Sequence, residues 1–299
     1  PGLVSHFGRC AKKLQNGVGC IPIDQLSRET LMRIGFIGTG AMAQAIARGA
    51  VASGVDPATL VFSNRTATKA CDLADELGAT AASSNASLAR QADIVILAVK
   101  PKDQRAVIKE ISPIVVGHPD VCVVSLAAGR TLDQITTDFG AGIPLVRVMP
   151  NVAATVGQSM TALTAARATD AQVAAVRSLM DSVGRTILID EDYFPVFQAL
   201  ASCSPAWYFQ IVDSFARAGL KHGLSKDSAV EIAAQAMAGA AALLLAEREA
   251  GMIPAQLIDR VTSPGGTTIA GLLAAEEGGL STALVGAVDA SIHADSHLG

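Results

Sequence analysis

The sequence predicts an α/β chain in two parts, a doubly wound and mostly parallel sheet followed by an all-helical segment. Three observations carry that expectation. From Arg33 to about Ile189 short apolar runs alternate with helical patterns, the sequence form of consecutive βαβ units. Beyond Asp192 the strand-like runs stop and the chain reads as helix almost to its end. The first apolar run leads directly into a glycine-rich turn that opens a helix. No internal repeat or low-complexity linker interrupts the chain, so the boundary falls near Glu191 to Phe194. At 299 residues two domains are expected, 32–191 and 192–299, since single cores stop growing near about 250–300 residues.

In order, the strands expected are "IGFIG" from Ile34, "LVFS" from Leu60, "DIVILAV" from Asp93, "VCVVSLA" from Val121, "PLVRVM" from Pro144 and "TILID" from Thr186. Between the first of them lie helical stretches at Met42 to Ser53 and Thr66 to Leu77. The later helices are expected at Pro205 to His222, Ser225 to Arg248, Pro254 to Val261 and Leu280 to His293. The apolar run from Ile232 to Ala246 is shorter than the roughly 20 residues a bilayer needs. It reads as a helix buried inside the protein or in a subunit interface. Residues 1–31 have no clear period and read as an extension, either non-native or a short transit-like leader, ahead of a natural start at Met32. They lack the apolar core of a secretory signal.

A net charge of −4 gives no basic footprint, which argues against nucleic acid or an anionic membrane as partner. Any small anion must then be held by local geometry. The five cysteines are odd in number, scattered and in no CxxC pair, so buried thiols in a reducing, cytoplasmic setting are expected. No His, Cys, Asp or Glu spacing suggests a metal site, and no Ser-His-Asp series stands out. Of the five histidines, His222 sits at a helix end, where capping explains it better than catalysis.

Gly38, Gly40 and Ala43 form G-x-G-x-x-A in "IGFIGTGAMAQAIA", directly after a strand and at the start of a good helix. That is the Rossmann-type dinucleotide turn: Gly38 for the tight bend, Gly40 for close approach of a pyrophosphate, Ala43 for helix on strand. Thr39, Ala41 and Met42 belong to the same turn. An NAD site usually places Asp or Glu at the end of the second strand to hold the ribose hydroxyls. Here that strand ends in Ser63, Asn64, Arg65 and Thr66, while Asp56 lies ahead of it, where it caps a turn. A cation with small hydroxyl and amide groups suits a 2′-phosphate, with Lys69 one turn on, so NADPH is expected as cofactor and NADH remains possible.

"GFIGTGAMAQAIARG", "ADIVILAVKPKD", "VRVMPN", "AGLKHGLSKDSAVEIAAQAMAGAAALL" and above all "VTSPGGTTIAGL" resemble the pyrroline-5-carboxylate reductase family, in one order from about Met32 to Ala290. The resemblance implies a Rossmann domain followed by an all-α dimerisation domain, a homodimer or higher homo-oligomer, and reduction of L-1-pyrroline-5-carboxylate to L-proline, the last step of proline biosynthesis. It implies cofactor contacts at Gly38 to Met42, at Asn64 and Arg65, and at Ala98, Val99, Lys100 and Pro101, though Lys100 reads equally well as a structural lysine. Ala127 in "SLAAG" and Asn151 in "VRVMPN" would border the nicotinamide.

The small-molecule substrate carries a carboxylate and an imine, so its site needs an anion clamp. Ser263 can cap a helix that Pro264 begins, and Gly265, Gly266, Thr267 and Thr268 offer bare amides at its positive end. By resemblance, Ser263 and the amides near Gly266 to Thr268 hold the carboxylate, and the Thr268 hydroxyl, the one catalytic residue expected, bonds the ring nitrogen. Two departures stand out: "ASCSPAW", Ala201 to Trp207, replaces a glycine-rich S-G-S-G-P-A-Y, and Val152 with Ala153 replaces T-P after Asn151. They keep two alternatives open, a reductase of a related cyclic imine or keto acid, and a non-catalytic NADPH-binding homologue.

Overall fold

The structure, a computed structural model, describes residues 32–295, so the readings of residues 1–31, with Cys10 and Cys20, lie outside the described residues. Chain order runs β1 (Ile34–Ile37), α1 (Ala41–Ala52), β2 (Leu60–Ser63), α2 (Ala67–Leu77), β3 (Thr80–Ala81), α3 (Asn85–Ala89) and β4 (Ile94–Leu97). It continues through α4 (Pro101–Val115), β5 (Cys122–Ser125), α5 (Leu132–Phe139), β6 (Leu145–Met149), β7 (Ser159–Ala166), α6 (Asp170–Asp181) and β8 (Gly184–Leu188). The strands form one sheet in the order β3-β2-β1-β4-β5-β6-β7-β8. From β3 to β6 every pairing is parallel; β7 runs antiparallel to β6, and β8 parallel to β7.

The sheet forms because its central strands are apolar on both faces, as parallel strands flanked by helices must be. Ile34, Phe36, Leu60, Phe62, Ile94 and Ile96 pack with Ile46 and Ala50 of α1, Leu73 of α2 and Leu179 of α6. Their neighbours Ile37, Val61, Val95, Leu97 and Val123 point the other way, onto Leu88, Ile108, Ile111 and Ile135 of α3, α4 and α5. Phe36 and Phe62 meet with ring centroids 5.5 Å apart. Each such side chain taken fully out of water contributes about 1.5–3 kcal/mol before chain entropy is charged against it.

Helix ends follow local chemistry. Thr131 and Thr169 close capping boxes with Gln134 and Gln172, and Gly78 and Gly140 stop α2 and α5 in the left-handed conformation. Asp56 accepts a hydrogen bond from the Ala58 N–H at 3.0 Å, the turn cap expected of it.

The helical part comprises α7 (Phe194–Phe197), a π-helical stretch over Gln198–Cys203, α8 (Ser204–Lys221), α9 (Lys226–Arg248), α10 (Pro254–Val261), α11 (Thr267–Glu277) and α12 (Leu280–Asp295). Arg147 of β6 anchors its root: buried, it donates from Nη1 to Glu191 Oε1 at 2.8 Å and lies 4.2 Å from the Phe194 ring centroid. Glu191 Oε1 also accepts from the Leu132 N–H at 2.8 Å. α12 returns to this root, where the Gln198 amide donates to Asp295 at 2.8 Å.

Two short or atypical strands, β3 and β7, escaped the sequence reading; "SMTALTAA" carries no β-branched apolar run. α9 also differs from expectation. It spans 23 residues, long and apolar enough by length and composition to cross a membrane, and only Ala229 along it is buried. Within one chain it is therefore not an interior helix, and that half of the expectation fails.

Candidate active site

The carboxyl ends of β1, β2, β4, β5 and β6 open into one cleft of about 1010 Å³. Parallel α/β sheets bind ligands at this edge, because helix N-termini and loop amides converge there. Gly38 bends the chain out of β1 with φ +102°, and a Cβ on it would sit 2.8 Å from the Ala98 carbonyl oxygen. Its N–H donates to the Ser63 carbonyl at 2.7 Å, tying the turn to the end of β2. Gly40, the N-cap of α1, has no atom within 4 Å of where a Cβ would stand, and α1 has no side-chain cap. Its first-turn amides and positive dipole end are thus left for an external anion.

Thr39 is buried, and its hydroxyl oxygen has no hydrogen-bond partner among the described residues. A buried hydroxyl without a partner carries an energetic penalty, which a bound polar ligand removes. The open Gly40, the uncapped helix and the orphaned Thr39 hydroxyl together fit the pyrophosphate of a dinucleotide.

The structure gathers most of the expected cofactor residues. Gly38, Thr39, Gly40, Ala41, Met42, Ser63, Asn64, Arg65, Ala98, Val99, Lys100, Pro101 and Ala127 all line the cleft, with Lys69. Asn64 is oriented by two contacts, its Oδ1 accepting from the Thr39 N–H at 3.4 Å and its Nδ2 donating to the Thr66 carbonyl at 3.0 Å. Asn151 does not line the cleft, although Pro150 and Val152 on either side of it do. Its amide is used inside the protein, donating to the Ala201 carbonyl at 2.8 Å and accepting from the Met160 N–H at 3.4 Å. It braces the loop after β6 against the π-helical stretch.

Sequence reasoning passed over Ser84, Asn85, Asp103, Glu110 and Thr155, which also line the cleft. They come from the starts or sides of helices, and apart from Asp103, which ends "ADIVILAVKPKD" without having been singled out there, they belong to no motif. Ser84 alone carries a signal, as a serine N-cap whose hydroxyl accepts from the Ser87 N–H at 3.0 Å.

The segment Ser263 to Thr268 lies elsewhere, and none of it lines this cleft. Its detail differs from expectation. α11 starts at Thr267 with Gly266 as N-cap, so Pro264 precedes the helix instead of opening it, and Ser263 makes no capping bond. The Gly266 N–H donates to the Ser263 carbonyl at 3.0 Å, with Gly265 at φ +69°. Pro at the second position and a positive-φ glycine at the third are the signature of a type II turn. A Cβ on Gly266 would run into the Ser263 hydroxyl. The double glycine thus has a local reason, and its result is an exposed, uncapped helix start beside a serine hydroxyl.

Comparison with known proteins decides the family. Residues 33–129 match the family described as NADP oxidoreductase coenzyme F420-dependent, and residues 191–298 match the one described as pyrroline-5-carboxylate reductase dimerisation. A pyrroline-5-carboxylate reductase of Glycine max is 36% identical over 86% of this chain and 93% of its own length. The chain belongs to the pyrroline-5-carboxylate reductase family. A solved structure of a pyrroline-5-carboxylate reductase from Coxiella burnetii superposes with a TM-score of 0.85 at 32% identity, covering 90% of this chain and 99% of that one. A Plasmodium falciparum pyrroline carboxylate reductase, solved with NADP bound, gives 0.75 at 25% identity and covers 90% and 98%.

Family membership makes the protein an oxidoreductase of a nicotinamide nucleotide and gives its helical part a name that fits its surface. Tyr208, Phe209 and Phe215 of α8, Ile232 and Leu243 of α9, and Val261, Leu273 and Val285 beyond are all exposed in the single chain. So much apolar surface marks an association face. Cys122, by contrast, is buried, and burial pushes its thiol up to about 12, so it is inert at neutral pH.

Proposed function

We infer that the protein reduces L-1-pyrroline-5-carboxylate to L-proline, with NADPH preferred over NADH. The observation that carries the reading is the cradle at the head of α1, open at Gly40 and orphaned at Thr39, in a chain of this family. The bound nicotinamide nucleotide supplies a hydride. The chain's own residues bind and orient: Gly38 to Met42 receive the pyrophosphate, and Arg65 with Lys69 places positive charge at the end of β2, where a 2′-phosphate would lie. Ala127 and Pro150 border the far end of the cleft with small or rigid surface, which leaves room for a flat ring.

A cyclic imine is basic enough to protonate near neutrality, so no strong general acid is required and orientation with exclusion of water supplies most of the rate. The exposed Ser263 hydroxyl and the first amides of α11 suit the substrate carboxylate, and the Thr268 hydroxyl suits the ring nitrogen. Because those residues do not line the cleft of their own chain, the reading includes a homodimer in which one copy's Ser263 to Thr268 segment closes the cleft of the other. The thiols of Cys71, Cys122 and Cys203 are unpaired, in keeping with a reducing, cytoplasmic setting, but only Cys122 is buried as expected, with Cys203 half-buried and Cys71 exposed.

Steady-state oxidation of NADPH and NADH with pyrroline-5-carboxylate tests this. Thr268→Ala is expected to lower kcat/KM by about 10- to 100-fold, the loss of a transition-state hydrogen bond. Arg65→Ala should raise the KM for NADPH and leave that for NADH nearly unchanged. A wild-type chain that binds NADPH but reduces no cyclic imine would return the reading to a non-catalytic homologue.

A further inference from the structure

We infer that Ser63, Asn85 and Glu110 form a relay that presents the Ser63 oxygen to the cofactor as a hydrogen-bond acceptor, so that the cleft also takes a ribose without a 2′-phosphate. The inference rests on the nicotinamide-nucleotide reading above and concerns how this chain divides itself between the two cofactors. All three residues line the cofactor cleft. The Ser63 hydroxyl donates to Asn85 Oδ1 at 2.8 Å, and Asn85 Nδ2 donates to Glu110 Oε2 at 2.7 Å.

The direction of this chain is fixed by one end. An ionised carboxylate only accepts, so the Asn85 face turned to Glu110 must be its NH₂, and the face turned to Ser63 must be its carbonyl oxygen. Ser63 must then donate its single proton to Asn85. What remains free on Ser63 is lone pairs alone.

Ser63 is the last residue of β2, the position at which a chain specific for NAD carries Asp or Glu to accept from the ribose hydroxyls. A serine there could in principle donate to a phosphate. Held by Asn85 and Glu110, it accepts instead, and does without a carboxylate part of what a carboxylate does. The Glu110 charge in the same cleft also opposes a 2′-phosphate, against the attraction of Arg65 and Lys69. Two sets of side chains therefore serve two cofactors: the cations favour the phosphorylated ribose, and the relay favours the plain one.

Calorimetric titration of the full chain with NAD⁺ and NADP⁺ tests the relay without relying on turnover. Ser63→Ala should weaken NAD⁺ by about 3- to 10-fold, the span of one neutral hydrogen bond, and change NADP⁺ by less than about 2-fold. Glu110→Ala frees Asn85 to turn and Ser63 to donate, so the ratio of NADP⁺ to NAD⁺ affinity should rise several-fold. Equal weakening of both nucleotides by Ser63→Ala, or a ratio unmoved by Glu110→Ala, would overturn the relay and leave the cofactor reading standing. If the unaltered chain bound neither nucleotide, the cofactor reading itself would fall, and the relay with it.

Discussion

The two halves of this chain are stabilised in opposite ways. In the sheet half, Phe36, Phe62, Ile94 and Ile96 are sealed between helices, and the fold is complete in one copy. From α8 to α12 the buried residues are Ser204, Ala216 and Ala229, and large apolar side chains stand in solvent. Similar hydrophobic sequence thus serves two ends, and periodicity alone does not tell them apart. A core helix and an interface helix bury the same kind of face; the difference is whether the cover is in the same chain.

The comparison is sharpest where one residue type changes in both halves. Phe36→Ala should cost about 3–5 kcal/mol, seen as a lower denaturation midpoint that is independent of protein concentration. Phe215→Glu, at a side chain 62% exposed, should barely alter a lone chain but split the oligomer. Sedimentation should show a smaller species that still binds NADPH and no longer turns over, and an unaltered oligomer would break the comparison. Next in size is Gly265→Ala, where φ +69° strains any Cβ by about 1–2 kcal/mol. It should raise the KM for the imine and leave NADPH affinity as it was.

The smallest effect lies between α8 and α9. Asp213 accepts from Arg217 at 2.7 Å and pairs with Lys226 at 3.0 Å, and the two cations, Arg217 first, hold its carboxyl below its ordinary value of 3.8. A depressed carboxyl contributes stability that is fully present above that ordinary value and is lost as pH falls through the lower folded one. Acid titrations of wild type and Asp213→Asn should therefore differ slightly near neutrality and converge at strongly acid pH.

Much of this was legible in the sequence because it is written locally. The Gly38 to Met42 turn, the first strands and the helix ends at Pro254, Val261 and Arg248 follow from neighbours within a few residues. β7 was not legible, since "SMTALTAA" has only Thr161 and Thr164 as strand formers and owes its strand chiefly to pairing with β6 across the sheet. Asn85 and Glu110 were hidden for a related reason: 25 positions separate them, and only the packing of α3 against α4 brings their side chains together. The "SPGG" turn was read as bare backbone, yet the Gly266 N–H is spent on the Ser263 carbonyl and the glycines answer to the turn itself, and only the fold reveals that the segment does not line its own cleft.

That separation has a genetic consequence. When a cleft is closed by a neighbour's loop, two dead chains with different lesions can make one live site. A chain altered at Gly38 still offers a sound Ser263 to Thr268 segment, and a chain altered at Thr268 still offers a sound cleft. Mixed in one cell, they would pair so that one site inherits both faults and the other neither, restoring growth that each alone denies. Were the loop to close the cleft of its own chain, every mixed pair would stay inactive, so complementation between alleles reads the wiring of the site without any structure of the assembly.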